Sequence, residues 1–124
     1  MRELLCVGLG GFLGSVSRGG IGIGMRGLLP GVPAGTLVAN VIAGLIIGLV
    51  TGADLASPLP GELRLLLAVG LCGGLSTFST FSSETVQLAE AGNWGGVALN
   101  VLLNVGLSIG AVVCGLAMVR GLAR

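Results

Sequence analysis

Four long apolar stretches follow one another along this 124-residue chain, and the residues between them are where Gly, Pro and charge collect. A helix needs about 20 apolar residues to cross the roughly 30 Å hydrocarbon core of a bilayer, so four spans with short connections use the whole length. Only 9% of the residues are charged and 53% are hydrophobic, against roughly 25% charged in an ordinary soluble domain. A soluble fold could not hide that much apolar surface. The expectation is an all-α, multi-pass membrane protein of the cell's plasma or inner membrane, a single domain over 1–124.

Helix one is expected at about 4–23. It is followed by a loop signal made of glycines, Arg26 and Pro30-Gly31-Val32-Pro33. Helix two is expected at 34–53, and Pro58 and Pro60 mark the next loop. Helix three runs over 62–91, a turn falls at Gly92-Asn93-Trp94 with Trp94 as interfacial anchor, and helix four covers 95–119. The first stretch has the outline of a signal peptide, but three further spans follow it, so it reads as retained.

Four spans place both termini and the second loop on one side of the membrane. Arg2, Arg64, Arg120 and Arg124 then face Arg18 and Arg26 on the other side. A chain inserted in both orientations has such a balance, and so has a weakly oriented chain with both termini inside; the count favours dual insertion slightly.

Several chemistries lack their residues. There is no His, which removes the commonest general base and metal ligand. Cys6, Cys72 and Cys114 stand alone in separate apolar segments, without zinc or disulfide spacing, and read as small buried hydrophobes. A net charge of +1 with no basic run argues against nucleic acid as a partner. No nucleophile stands beside a base and no carboxylates are paired, so an enzyme is not expected.

Polar residues inside the spans are few and arranged. Thr36, Asn40, Gly44, Gly48 and Gly52 recur at intervals of four and so share one face of helix two. An Asn amide in hydrocarbon needs partners, so Asn40 serves either as interhelical glue or as a group facing water or a ligand. Gly10 with Gly14, and Gly44 with Gly48, are small-residue pairs suited to close helix packing. Helix three is more specific. Gly73-Gly74 loosens it, and seven hydroxyl side chains follow between Ser76 and Thr85. Non-helical backbone at this depth survives only where protein buries it or a cavity wets it, and its freed carbonyls suit a cation. The break is expected at Gly73 to Ser76. Phe78 and Phe81, spaced by three, lie on one side of this helix; they either pack or turn their positive ring edges to an anion. Glu84 lies one turn beyond Thr80, towards a membrane face, and is either a buried functional group or a boundary carboxylate. Arg18, near the end of helix one, either snorkels or draws anions into a vestibule.

These segments resemble the small fluoride channels of the Fluc or CrcB family. The likeness rests on Gly10-Gly11-Phe12-Leu13-Gly14 with Arg18, on Gly35-Thr36-Leu37-Val38-Ala39-Asn40, and above all on Gly73-Gly74-Leu75-Ser76-Thr77-Phe78-Ser79-Thr80-Phe81-Ser82. The resemblance implies an antiparallel, dual-topology homodimer with two narrow pores, each lined from both subunits, for passive fluoride export across the lipid bilayer. It also implies residue roles. Asn40, Phe78 and Phe81 match pore residues, Ser79, Thr80 and Glu84 a polar track, and Arg18 the family's helix-one arginine. A structural sodium ion on backbone carbonyls at the helix-three break maps to Gly73 and Ser76. This chain has Ser76 where the family usually has Thr. It also has no Tyr, and offers Asn100, Asn104 and Ser108 on helix four where members often carry one. Two other readings compete. A small multidrug-type transporter needs a carboxylate within helix one, where only Glu3 at its edge is available. A non-transporting, glycine-packed membrane protein leaves the polar run of helix three unexplained.

Overall fold

A computed structural model describes residues 1–26 and 33–122. The loop expected at Pro30 to Val32, and Arg124, lie outside the described residues. We number the helices α1 (Arg2–Gly24), α2 (Ala34–Ala56), α3 (61–75), α4 (Phe78–Glu90) and α5 (Trp94–Leu122). The middle of α3, Leu65–Leu71, is wound as a π-helix between short α-helical ends. Together α3 and α4 make the third span, so the described residues contain four spans long and apolar enough to cross a membrane. The expected boundaries agree with these helices to within three residues.

Local chemistry accounts for the ends. Residue Ser57 precedes Pro58, which disfavours helical backbone before it, and Ser57 is indeed extended. Asp54 then closes the α2–α3 loop: its Oδ1 accepts the Leu59 N–H at 2.9 Å, and its Oδ2 lies 3.3 Å from the Arg64 guanidinium. Beside it, at the same membrane face, Arg2 pairs loosely with Glu62 at 3.8 Å. At the α4–α5 turn Gly92 takes φ +76°, which only glycine adopts cheaply. Asn93 Oδ1 accepts the Gly96 N–H at 2.9 Å and caps α5. Trp94, in the first turn of α5, is exposed.

Helix α2 is the hub. It buries 39% of its apolar span inside the chain, against 11% for α1 and for α5, so the outer helices present their apolar side chains outward. Phe12, Leu102 and Ile109 are among those exposed. Glycines set the two main crossings. A Cβ on Gly44 would stand 2.7 Å from the Ser108 carbonyl oxygen, and one on Gly115 2.7 Å from that of Leu45, so α2 and α5 touch backbone to backbone. Likewise Gly10 and Gly14 of α1 lie against the α3 backbone, where a Cβ on Gly74 would stand 2.6 Å from the Gly11 oxygen. In lipid no hydrophobic force pulls helices together, and such approach supplies the dispersion contacts that do. Ala39, Ala43 and Leu75, with Ile21 and Ile46, fill the small core between α1, α2 and the end of α3.

The third span is broken, one step later than the glycines suggested. Gly73 and Gly74 remain helical; Ser76 (φ −83°, ψ 152°) and Thr77 (φ −149°, ψ 119°) are extended. Close packing holds Gly74 in the helix. The Ser76 N–H and Oγ both bond to the Cys72 carbonyl, at 2.9 and 2.8 Å, and satisfy the last turn of α3. Thr77 then opens α4, its Oγ1 accepting the Thr80 N–H at 3.2 Å as an N-cap.

A polar groove at the helix-three break

The break places two half-helix ends and the polar row of α2 at one level. Beside it an open groove of about 490 Å³ is lined by Asn40, Gly73, Ser76, Thr77, Phe78, Phe81, Asn104 and Ser108, with apolar residues of α2, α3 and α5 around them. Asn40 joins the break to α5 there. Its Oδ1 accepts the Thr77 N–H at 2.9 Å, and its Nδ2 donates to Asn104 Oδ1 at 2.9 Å. The Thr77 N–H would otherwise close the helix onto the Gly73 carbonyl, so that carbonyl loses its helical donor. The Phe78 and Phe81 rings sit 5.6 Å apart, tilted by 54°. Phe78 is 79% exposed, so this chain walls only one side of the groove.

A second, smaller pocket of about 220 Å³ lies on the other side of the break, lined by Ser15, Arg18, Thr36, Thr77, Thr80 and glycines of α1 and α2. Arg18 turns inward: its Nε donates to the Gly74 carbonyl at 3.0 Å and puts a cation at the C-terminal end of α3, where the helix dipole favours one. Thr36 Oγ1 donates to Glu84 Oε1, which ties the carboxylate of α4 to the pocket wall. Thr80 Oγ1 accepts from Thr77 Oγ1 at 3.1 Å, so Thr77 belongs to both spaces. Ser79 is exposed and lines neither.

Of the residues singled out in the sequence, the fold therefore gathers Asn40, Gly73, Ser76, Phe78 and Phe81 in the groove, and Arg18, Thr80 and Glu84 around the smaller pocket. Two groups gain weight that sequence reasoning had not given them. Thr77 is the hinge between the spaces. Asn100 and Asn104 are buried, 1% and 4% exposed, and continue the hydrogen bonds of Asn40 along α5. Their spacing of four, with Ser108 four further on, was the available signal.

Spans with apolar exteriors and polar side chains converging on a mid-membrane helix break define a small polytopic membrane protein. The chain belongs to the CrcB family: the family model described as CrcB-like protein, Camphor Resistance (CrcB), matches residues 5–116. Among its relatives, the fluoride-specific ion channel FluC of Paraburkholderia xenovorans (strain LB400) is 47% identical over 98% of each chain. The FluC of Pseudomonas putida (strain W619) is 46% identical over 82% of this chain and 84% of its own. That of Methanococcus maripaludis is 41% identical over 93% of both. These relatives carry the name of ion channels and not of enzymes.

Proposed function

We propose that this protein is a fluoride-selective channel that exports fluoride passively across the plasma or inner membrane and so protects the cell from its toxicity. The observation that carries the reading is the break at Ser76–Thr77, which brings Asn40, Thr77, Phe78, Phe81 and Asn104 to one open groove. Fluoride is small and tightly hydrated, and must exchange its water for other donors as it passes. The Asn40 amide, the hydroxyl of Thr80, and the ring edges of Phe78 and Phe81 offer weak successive sites, whereas one strong cationic site would trap the ion. Arg18 sits back from the groove, on Gly74, and acts on anions at a distance. The Thr36–Glu84 pair closes the track of polar groups along α4.

A groove walled on one side asks for a partner. In the proposed assembly a second copy, inserted antiparallel, supplies the other wall, and the two-fold repeats the groove as a second pore. The weak four-to-two bias of arginines between the two membrane faces supports such insertion. The Gly73 carbonyl, freed of its helical donor, and Ser76 both lie on the groove. A monovalent cation binds neutral carbonyl oxygens; two from each copy make four, a donor set that suits a structural sodium ion at the break.

Protein reconstituted in liposomes loaded with fluoride, with release followed by a fluoride electrode, tests the function. Fast fluoride release with chloride retained is expected. Equal release of chloride, or Phe78→Ile protein as active as the parent, overturns the proposal.

A further inference from the structure

A row of hydrogen bonds links six residues, from Thr77 at the break through Asn40, Asn104, Asn100 and Thr85 to Phe81 of α4, and its direction is fixed at both ends. The Thr77 N–H can only donate, so Asn40 must turn its oxygen towards it and its nitrogen towards Asn104. Asn104 must then present Oδ1 to Asn40, and its Nδ2 donates to the Asn100 carbonyl at 2.8 Å and to Asn100 Oδ1 at 2.9 Å. Asn100 Nδ2 donates to Thr85 Oγ1 at 3.0 Å, and the Thr85 hydroxyl donates to the Phe81 carbonyl at 2.7 Å. A carbonyl can only accept, so the far end imposes the same direction as the near one. Turning over any one amide would set donor against donor and acceptor against acceptor along the row.

The row spends its donors unevenly. Asn104 directs its Nδ2 at two oxygens of Asn100, and Asn100, at 1% exposure, lies behind the groove wall. Asn40 lines the groove and uses one of its two amide hydrogens on Asn104, which leaves the other unspent among the described residues. The arrangement thus concentrates on Asn40 the N–H that a passing anion can meet.

We propose that Asn104 is a positioning residue for anion passage: held by Asn100 and Thr85, it fixes the Asn40 carboxamide with its oxygen on Thr77 and one N–H free for the ion. This inference rests on the reading of the groove as an anion path. Without Asn104 the Asn40 amide still accepts from Thr77, but it has two unspent hydrogens and no partner to hold its plane. The Asn100 side chain acts one step further back. Its loss leaves Asn104 still bonded to the backbone carbonyl of residue 100, so its effect is smaller.

An isosteric pair at position 104 separates positioning from packing. Asn104→Thr keeps an acceptor for Asn40 and a hydroxyl that can donate to the Asn100 carbonyl one turn back, whereas Asn104→Val has the same shape and neither bond. Two readouts are taken on both proteins: fluoride efflux from liposomes, and hydrogen exchange of the Asn40 side-chain amide by NMR in nanodiscs. Asn104→Thr is expected within about threefold of the parent efflux and Asn104→Val about tenfold below it, the size of one lost neutral hydrogen bond. In an Asn40→Ala background the Thr and Val proteins should conduct alike. Asn40 amide exchange should be about tenfold faster with Val than with Thr. If Asn104→Val does not fold, Asn100→Val keeps the test in place: its efflux should fall and its Asn40 amide exchange should rise by less than about tenfold, and no change in either overturns the positioning role. Equal efflux, or equal exchange, from the Thr and Val proteins overturns the positioning role. If the parent releases no fluoride, the channel function fails and the exchange rates alone decide the positioning of Asn40.

Discussion

Asn40 and Asn104, 64 positions apart in the chain, share a 2.9 Å hydrogen bond from Asn40 Nδ2 to Asn104 Oδ1 across the α2–α5 contact. Glycines make it possible. Gly44 lies one turn beyond Asn40 and Ser108 one turn beyond Asn104, and a side chain on Gly44 would strike the Ser108 carbonyl. The close backbone approach at that level brings two short amides, one turn away, within reach of each other. The same contact shapes the groove wall on which both lie.

Asn40→Asp removes the donor to Asn104 and puts a negative charge on the anion path. At about 4 Å and an effective dielectric of 20, two like charges repel by about 4 kcal/mol. Fluoride efflux from liposomes should fall by on the order of a thousandfold, and a fall below tenfold would place the anion path elsewhere.

Gly14→Val should destabilise the protein, because a Cβ there meets the Leu71 carbonyl and the Leu75 N–H, which are backbone and cannot step aside. Overpacking of this kind costs about 1–3 kcal/mol. Gly19→Ala, with open space around its Cβ, is the control and should stay within about 0.5 kcal/mol of the parent. Unfolding midpoints in detergent micelles compare the two.

Thr77→Val keeps the backbone N–H that serves Asn40 but loses the cap on α4. It should cost about 1 kcal/mol, and Thr77→Ser should recover most of it. Thermal unfolding in the same micelles measures this; equal losses for Val and Ser would mean that the hydroxyl is not what holds the start of α4.

Arg18→Gln tests whether the cation acts on anions at a distance. Efflux should fall most at low salt, since the screening length shrinks from about 30 Å at 0.01 M to about 10 Å at 0.1 M. The parent-to-variant rate ratio should therefore narrow as inert salt is added, measured with impermeant ions on both sides of the membrane.

Much of the architecture can be read from the chain. Spans of this apolarity have one solvent available to them, and Gly, Pro and charge mark their ends, so helix boundaries come out within three residues. Gly10 with Gly14 and Gly44 with Gly48 announce close packing because a helix surface without side chains has little other use at that depth. The polar run of α4 likewise points to a break, because hydroxyls there are unnecessary for packing.

What the chain alone leaves open is partnership. Gly73-Gly74 is the weakest stretch of an isolated third helix, but Gly74 is locked against α1 and the chain parts at Ser76–Thr77, where Asn40 from another helix takes the Thr77 N–H. Similarly, the spacing of Asn100 and Asn104 puts them on one face, while only their neighbours on α2 and α4 set which way each amide points. Ser79 shares the polar run but turns away from both pockets. Number, length and apolarity of the spans follow from the bilayer, which acts on each segment separately; the site of the break and the direction of the amide row follow from hydrogen bonds between helices, which no single segment contains.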